Sequence, residues 1–286
     1  MLTTELIKLN NLQIAGKLVS EELMLGIHGS KRSGIGIEFE QYRHYEPGDD
    51  PKRIDWKLYA RTQKHLVRES ATESNFHIRF VLDLSGSMNY QERGVSRLNY
   101  CKILLASLAY LGYRQSDQMS LYGLQNGDLE TLVPAGKQSF QRILYELEKA
   151  NAGGIWQNEN PKFPEFQQKQ KELVILASDF LQVGDEWLKL IQSIANPRRE
   201  VLIFQVLGEE ELSFDLTGFY RFKDLETGKE IELEASAIRE EVRQKAQTYF
   251  ANLDEALRIP HVHLIRTTLH EPIAQVISEA LRMRKF

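Results

Sequence analysis

Asp83-Leu84-Ser85-Gly86-Ser87 places one carboxylate and two hydroxyls on alternate residues, directly after the apolar run Phe76-His77-Ile78-Arg79-Phe80-Val81-Leu82. Residues that alternate as a chain leaves a strand can turn their oxygens toward one point. A second apolar run, Leu173-Val174-Ile175-Leu176-Ala177, ends in Ser178-Asp179. A hard divalent cation such as Mg²⁺ takes oxygen ligands, keeps several waters and needs few carboxylates. Asp83, Ser85, Ser87 and Asp179 are therefore candidate ligands for Mg²⁺ or Mn²⁺. An ion held by neutral hydroxyls and water keeps positive charge and can accept a carboxylate from a partner protein. Each loop alone is also accounted for as a turn or helix N-cap, where Asp and Ser are favoured. Two such loops at strand ends of one parallel sheet favour a shared oxygen site, because ligands of open α/β sheets sit beyond the carboxyl ends of the strands.

Other chemistries find less support. An aspartyl phosphatase wants a second Asp two residues after the first, and that position is Ser85. A hydrolase elbow G-x-S-x-G would need glycines where Asp83 and Ser87 stand. Neither a P-loop nor a dinucleotide fingerprint occurs, and Gly34-Ile35-Gly36 lacks the third glycine and the preceding strand. His261 and His263 alternate at a strand start, which reads as a polar strand face before it reads as a metal pair. The expectation is a non-enzymatic interaction module; the alternative is a metal-dependent hydrolase using the same oxygen cluster.

The elements that must position these residues follow from hydrophobic period. Spaced apolar positions over residues 3–25 read as helical, and Gly26, Gly29, Gly34 and Gly36 break that pattern into a loop. The charged, aromatic stretch 38–73 reads as mixed strand and loop, with Pro47-Gly48-Asp49-Asp50-Pro51 as a turn. From Phe76 onward short apolar strands alternate with helices. Strands are expected at 76–82, 119–124, 129–133, 173–177, 201–207 and 262–265, the third of them closing an edge hairpin through Asn126-Gly127-Asp128. Helices are expected at 98–113, 140–150, 187–194 (capped by Asp185), 235–257 and 272–284. A hairpin, Phe219 to Leu225 and Lys229 to Leu233, interrupts the alternation as an insertion near 212–234. The fold class is α/β: a three-layer, doubly wound, mostly parallel sheet.

Composition fits that class. The chain has 286 residues, 42% hydrophobic and 27% charged, enough for a sizeable core. A net charge of −4 gives no global attraction to nucleic acid or an anionic membrane. The single cysteine, Cys101, excludes an internal disulfide and a cysteine-rich zinc site, and its apolar surroundings mark it as a core thiol. Residues 1–26 contain neither an apolar run of spanning length nor the pattern of a signal peptide, so the expected location is the cytoplasm, without stable membrane insertion.

The stretch from Gly34 to Arg61, which includes Phe39-Glu40-Gln41-Tyr42-Arg43-His44-Tyr45-Glu46-Pro47-Gly48-Asp49-Asp50-Pro51 and Arg53-Ile54-Asp55-Trp56, closely resembles the signature of the bacterial domain of unknown function 58 family. Phe222-Lys223-Asp224-Leu225-Glu226-Thr227-Gly228 resembles a later segment of the same family. The resemblance implies a von Willebrand factor A-like domain over 75–286, preceded over 1–74 by a helix and the signature segment packed on it. It also implies a metal-ion-dependent adhesion site of Asp83, Ser85 and Ser87, with Asp179 as the later acidic position. The implied partner is a MoxR-type AAA+ ATPase or its client, in chaperone-like assembly or maturation. Ile155, in Asn151-Ala152-Gly153-Gly154-Ile155-Trp156, stands where the family of A domains supplies a Thr ligand, so a weakened or degenerate site is expected. Within the signature, Trp56 is expected to be buried, and Arg43, Arg53 or Arg61 to pair with Asp49, Asp50 or Asp55.

Overall fold

Strands whose two faces are both apolar must be covered on both sides, and the central sheet shows this. Its strands are β3 (His77–Asp83), β6 (Gln118–Gln125), β7 (Asp128–Val133), β8 (Glu172–Ser178), β9 (Arg199–Leu207) and β12 (Val262–Thr268). Their order across the sheet is β12-β9-β8-β3-β6-β7. All neighbours are parallel except β6 and β7, which pair antiparallel through a tight turn. Asn126 and Gly127 adopt φ values of 54° and 84° there, the left-handed pair such a hairpin requires. The computed structural model describes residues 3–9, 11–29, 41–45, 54, 56, 59, 63–69, 77–155, 171–181 and 186–283.

Period-two alternation divides the core. Phe80 and Leu82 of β3 join one hydrophobic cluster, with α3 (Arg97–Arg114), α4 (Ser139–Lys149) and α8 (Ile273–Met283). Val81 faces the other way, into a cluster with α5 (Glu186–Ile194) and the end of α7 (Ala235–Ala256). Helices on both faces of one mostly parallel sheet make the fold the three-layer, doubly wound α/β class that the sequence predicts.

The N-terminal helical stretch is two helices, α1 (Thr3–Lys8) and α2 (Leu12–Gly29). Asn11 separates them, and its side chain caps the second by accepting from the Ile14 amide at 2.9 Å. Helix α2 runs through Gly26 to Gly29, so Gly26 does not end it. Leu6, Ala15, Val19 and Leu23 belong to the same cluster as α3 and β3. In the signature region, β1 (Gln41–His44) pairs antiparallel with β2 (Leu66–Glu69). Trp56 corrects an expectation: it is 56% exposed, with Tyr59 edge-on at 6.0 Å as its aromatic neighbour. An indole anchors a segment by excluding water from its ring, and this ring remains in water on more than half its surface. The expected pairs of Arg43, Arg53 and Arg61 with Asp49, Asp50 and Asp55 lie outside the described residues, as does the Asp185 cap.

A hairpin and a short helix near the site were not anticipated. A small hairpin, β4 (Gln91–Glu92) and β5 (Val95–Ser96), follows the Asp83 loop and turns on Arg93 and Gly94, both at positive φ. A short helix, α6 (Glu209–Ser213), follows β9. The expected insertion is present as β10 (Phe219–Lys223) paired with β11 (Glu230–Glu234), apart from the central sheet. Among the described residues no helix is long and apolar enough to cross a membrane.

Candidate functional site

Parallel pairing brings the two oxygen-rich loops together. Leu82 of β3 is in register with Ala177 of β8, so Asp83 and Ser178 leave adjacent strands at one level. The Ser178 hydroxyl donates to Asp83 Oδ2 at 2.6 Å and accepts from the Phe180 amide at 3.0 Å. Asp83 Oδ1 accepts from the Ser85 amide at 2.9 Å, which bends the chain after the strand. The Ser85 and Ser87 hydroxyls are then 3.0 Å apart. Asp83 is fully buried, and its carboxyl is pushed up to about 7, first by burial and then by the neighbouring charge of Asp179.

Asp179 is equally buried, but a cation already faces it. Arg97, the first residue of α3, is 1% exposed and donates from Nη1 to Asp179 Oδ2 at 2.6 Å and to the Ser87 carbonyl at 2.9 Å. Its Nη2 pairs with Glu211 of α6, and the guanidinium lies 4.7 Å from the centre of the Tyr90 ring. The other oxygen of Asp179 accepts from the Leu181 amide at 3.1 Å. Arg97 thus supplies the positive charge that two adjacent buried carboxylates require.

The glycine-rich loop at 151–155 packs against the Asp83 loop. The Gly153 amide donates to the Leu84 carbonyl at 2.8 Å, and the Gly86 amide to the Gly154 carbonyl at 3.0 Å. Gly154 sits at φ 88°, and a Cβ there would meet Asn126 Oδ1 at 2.1 Å, so only glycine holds this contact. Ile155 follows it, partly exposed, with no oxygen side chain to offer. The β10–β11 turn covers the same loop from outside. A Cβ on Gly86 would lie 2.6 Å from the Leu225 carbonyl oxygen and 3.1 Å from Glu226 Cα.

Oxygens cis on an octahedron with bonds of about 2.0–2.1 Å are separated by about 2.9 Å, so the Ser85–Ser87 spacing fits one edge of a Mg²⁺ or Mn²⁺ shell. Asp83 stands behind that edge. Asp179 does not fit as a free ligand, since Arg97 and the Leu181 amide hold its two oxygens. Sequence reasoning brought Asp83, Ser85, Ser87 and Asp179 to one place and named Ser178 in the second loop without giving it a role, but missed Arg97 and Glu211. A basic residue at the head of a helix is ordinary in sequence. Its only local signal was Ser96 before it, the N-cap whose side chain accepts from Asn99.

The fold and the polar strand-end cluster define a doubly wound α/β domain with its candidate site at the carboxyl edge of the sheet. Residues 41–252 match the family described as "Protein of unknown function DUF58", and the chain belongs to that family. It is 25% identical over 264 residues to the uncharacterized protein Rv1480 of Mycobacterium tuberculosis, covering 87% of this chain and 80% of that one. The uncharacterized protein Mb1516 of Mycobacterium bovis matches to the same extent. Among solved structures, a conserved hypothetical protein BatB from Bacteroides thetaiotaomicron aligns with a TM-score of 0.45 and 17% identity, over 73% of this chain and 98% of that one. The SpRpn10 VWA domain aligns with a TM-score of 0.40 and 11% identity, over 73% and 94%. The fold assignment rests on strand order and layering, not on these scores.

Proposed function

We propose that this protein is a non-enzymatic interaction module that docks a MoxR-type AAA+ ATPase, or that ATPase's client, at the carboxyl edge of the sheet, in chaperone-like assembly or maturation. The observation that carries the reading is the pair of serine hydroxyls, 3.0 Å apart at the rim of the sheet and backed by the buried Asp83. Membership of the DUF58 family supports it, as does the resemblance of the loop to adhesion sites of A domains. Ser85 and Ser87 would hold Mg²⁺ or Mn²⁺, with Asp83 behind them. Such an ion supplies one thing, an attraction for an acidic side chain of the partner. With Ile155 in place of an oxygen donor and Asp179 held by Arg97, the ion is held weakly, and shape and hydrogen bonding carry more of the contact.

The test is direct binding between this protein and the MoxR-type ATPase of the same genome, with Mg²⁺ or with chelator, for wild type, Ser85→Ala/Ser87→Ala and Ile155→Thr. The expected result is weaker binding by the double serine variant and stronger, chelator-sensitive binding by Ile155→Thr. Absence of binding, or equal binding by wild type and the double variant, overturns the assignment of this face.

A further inference from the structure

A second group of ligating side chains lies at the same edge of the sheet, outside the Asp83 cluster. Glu92 comes from β4, Glu209 from the start of α6 directly after β9, and His270 from the turn after β12. One ligand atom from each lies within 4.8 Å of the other two. Carboxylates and an imidazole near one another are by themselves unremarkable. Two buried atoms that face each other without a hydrogen bond set this group apart.

The Glu92 side chain is 2% exposed. Its Oε2 accepts from the Tyr90 hydroxyl at 3.1 Å and from the Glu210 amide at 3.2 Å. Its Oε1 lies 3.3 Å from His270 Nε2, within ion-pair reach, yet the geometry makes no hydrogen bond, and neither atom has another hydrogen-bond partner. Buried polar atoms are nearly always hydrogen-bonded, and a close pair that lacks hydrogen-bond geometry is one that a shared ligand between them would satisfy. A tetrahedral metal ion with bonds of about 2.0–2.1 Å holds its ligand atoms about 3.3 Å apart. The Glu92–His270 gap has that width.

The surroundings hold both side chains where they are. The Glu271 amide donates to the Thr268 carbonyl at 3.2 Å and its carboxylate accepts from the Thr268 amide at 3.2 Å, which fixes the turn carrying His270. Gly208 lets the β4 hairpin approach: a Cβ there would lie 2.4 Å from Glu92 Oε2 and 2.7 Å from the Tyr90 hydroxyl oxygen. Glu209, half exposed, pairs through Oε2 with Arg93 at 3.0 Å.

We propose that Glu92, Glu209 and His270 form a zinc site, with water in the fourth position. One imidazole with two carboxylates is a borderline set that suits Zn²⁺ better than Mg²⁺, which asks for an octahedron of oxygens. The ion would tie the hairpin after the Asp83 loop to the ends of β9 and β12, and so brace the edge of the sheet.

Calorimetric titration of the chelator-treated full chain with Zn²⁺ tests this, together with Co²⁺ absorption as a geometric readout and thermal melts with and without Zn²⁺. Wild type should bind one ion, give the intense visible bands of tetrahedral Co²⁺, and melt higher with Zn²⁺. His270→Ala should bind at least tenfold more weakly and lose the Co²⁺ bands and the thermal gain. Glu209→Ala, at a half-exposed position that leaves the fold intact, should weaken binding in the same direction. Ser85→Ala/Ser87→Ala should bind Zn²⁺ like wild type. No Zn²⁺ binding by wild type, undiminished binding by both His270→Ala and Glu209→Ala, or a loss confined to the serine variant would overturn the proposal.

Discussion

Replacing Arg97 by Met removes the cation that pairs with Asp179 while keeping an unbranched side chain of similar reach. Three contacts go: the 2.6 Å bond to Asp179, the 2.9 Å bond to the Ser87 carbonyl, and the pairing with Glu211. Glu211 is 23% exposed at its side chain and can turn toward water. Asp179 has no such exit, being fully buried beside Asp83. Breaking a buried pair from one side costs about 3–5 kcal/mol, because the remaining charge keeps its desolvation penalty and loses its partner. Almost all of that cost resides in the bare carboxylate, so neutralising it should restore most of the stability. Asp179→Asn keeps an oxygen for the Leu181 amide, which now donates to Oδ1 at 3.1 Å. Arg97→Met/Asp179→Asn should therefore be more stable than Arg97→Met by about 2 kcal/mol or more. Urea unfolding at pH 8 of wild type and the three variants closes the cycle. A single variant within 1 kcal/mol of wild type, or a double variant no better than Arg97→Met, would refute the view that this guanidinium neutralises the site.

Asp83 should impose a pH dependence of opposite sign to a salt-bridged carboxylate. Its carboxyl is raised from 3.8 to about 7 by burial and by Asp179, so its contribution to stability is complete below pH 4 and lost as pH rises through 7. That loss amounts to at most about 4 kcal/mol, and Asp83→Asn should remove the slope between pH 4 and 8; an unchanged slope in urea midpoints argues against it. Gly86→Ala should destabilise by roughly 1–3 kcal/mol and expose the turn at 224–228 to protease, since the new methyl meets the Leu225 carbonyl at 2.6 Å. Wild-type resistance to cleavage in that variant would show that the turn does not rest on the loop. Trp56→Ala should cost about 1 kcal/mol or less, given 56% exposure, and a thermal melt lowered as far as for an emptied core site would contradict that placement.

Local sequence determined a large part of this protein. Period-two and continuous apolar runs fixed the six strands of the central sheet to within a few residues; burial on both faces leaves few polar choices in the inner strands β3, β6, β8 and β9, while the edge strands β7 and β12 are only partly buried. Asn126-Gly127 dictated the antiparallel edge through its left-handed backbone. The alternation of oxygens in Asp83, Ser85 and Ser87 carried through to two serine hydroxyls hydrogen-bonded at 3.0 Å beside Asp83, since all three belong to one short turn.

The rest depended on which chain segments meet. Arg79 was legible only as an interruption of an apolar strand, yet it is buried against Glu172 of β8 and the Tyr122 hydroxyl of β6, both from neighbouring strands. Trp56 looked like an anchor by type, yet it is 56% exposed. His261 and His263 drew attention as a pair, and His263 does lie 3.4 Å from Glu200 on the neighbouring strand; the histidine grouped with two carboxylates is His270, near Glu92 and Glu209, which are far away in sequence. Arg97 and Asp179 are 82 residues apart. Periodicity and turn chemistry act over a few residues and can be read along the chain. Charge neutralisation and ligand sets act through space between segments that the parallel crossovers bring side by side, and the tertiary structure alone decided those.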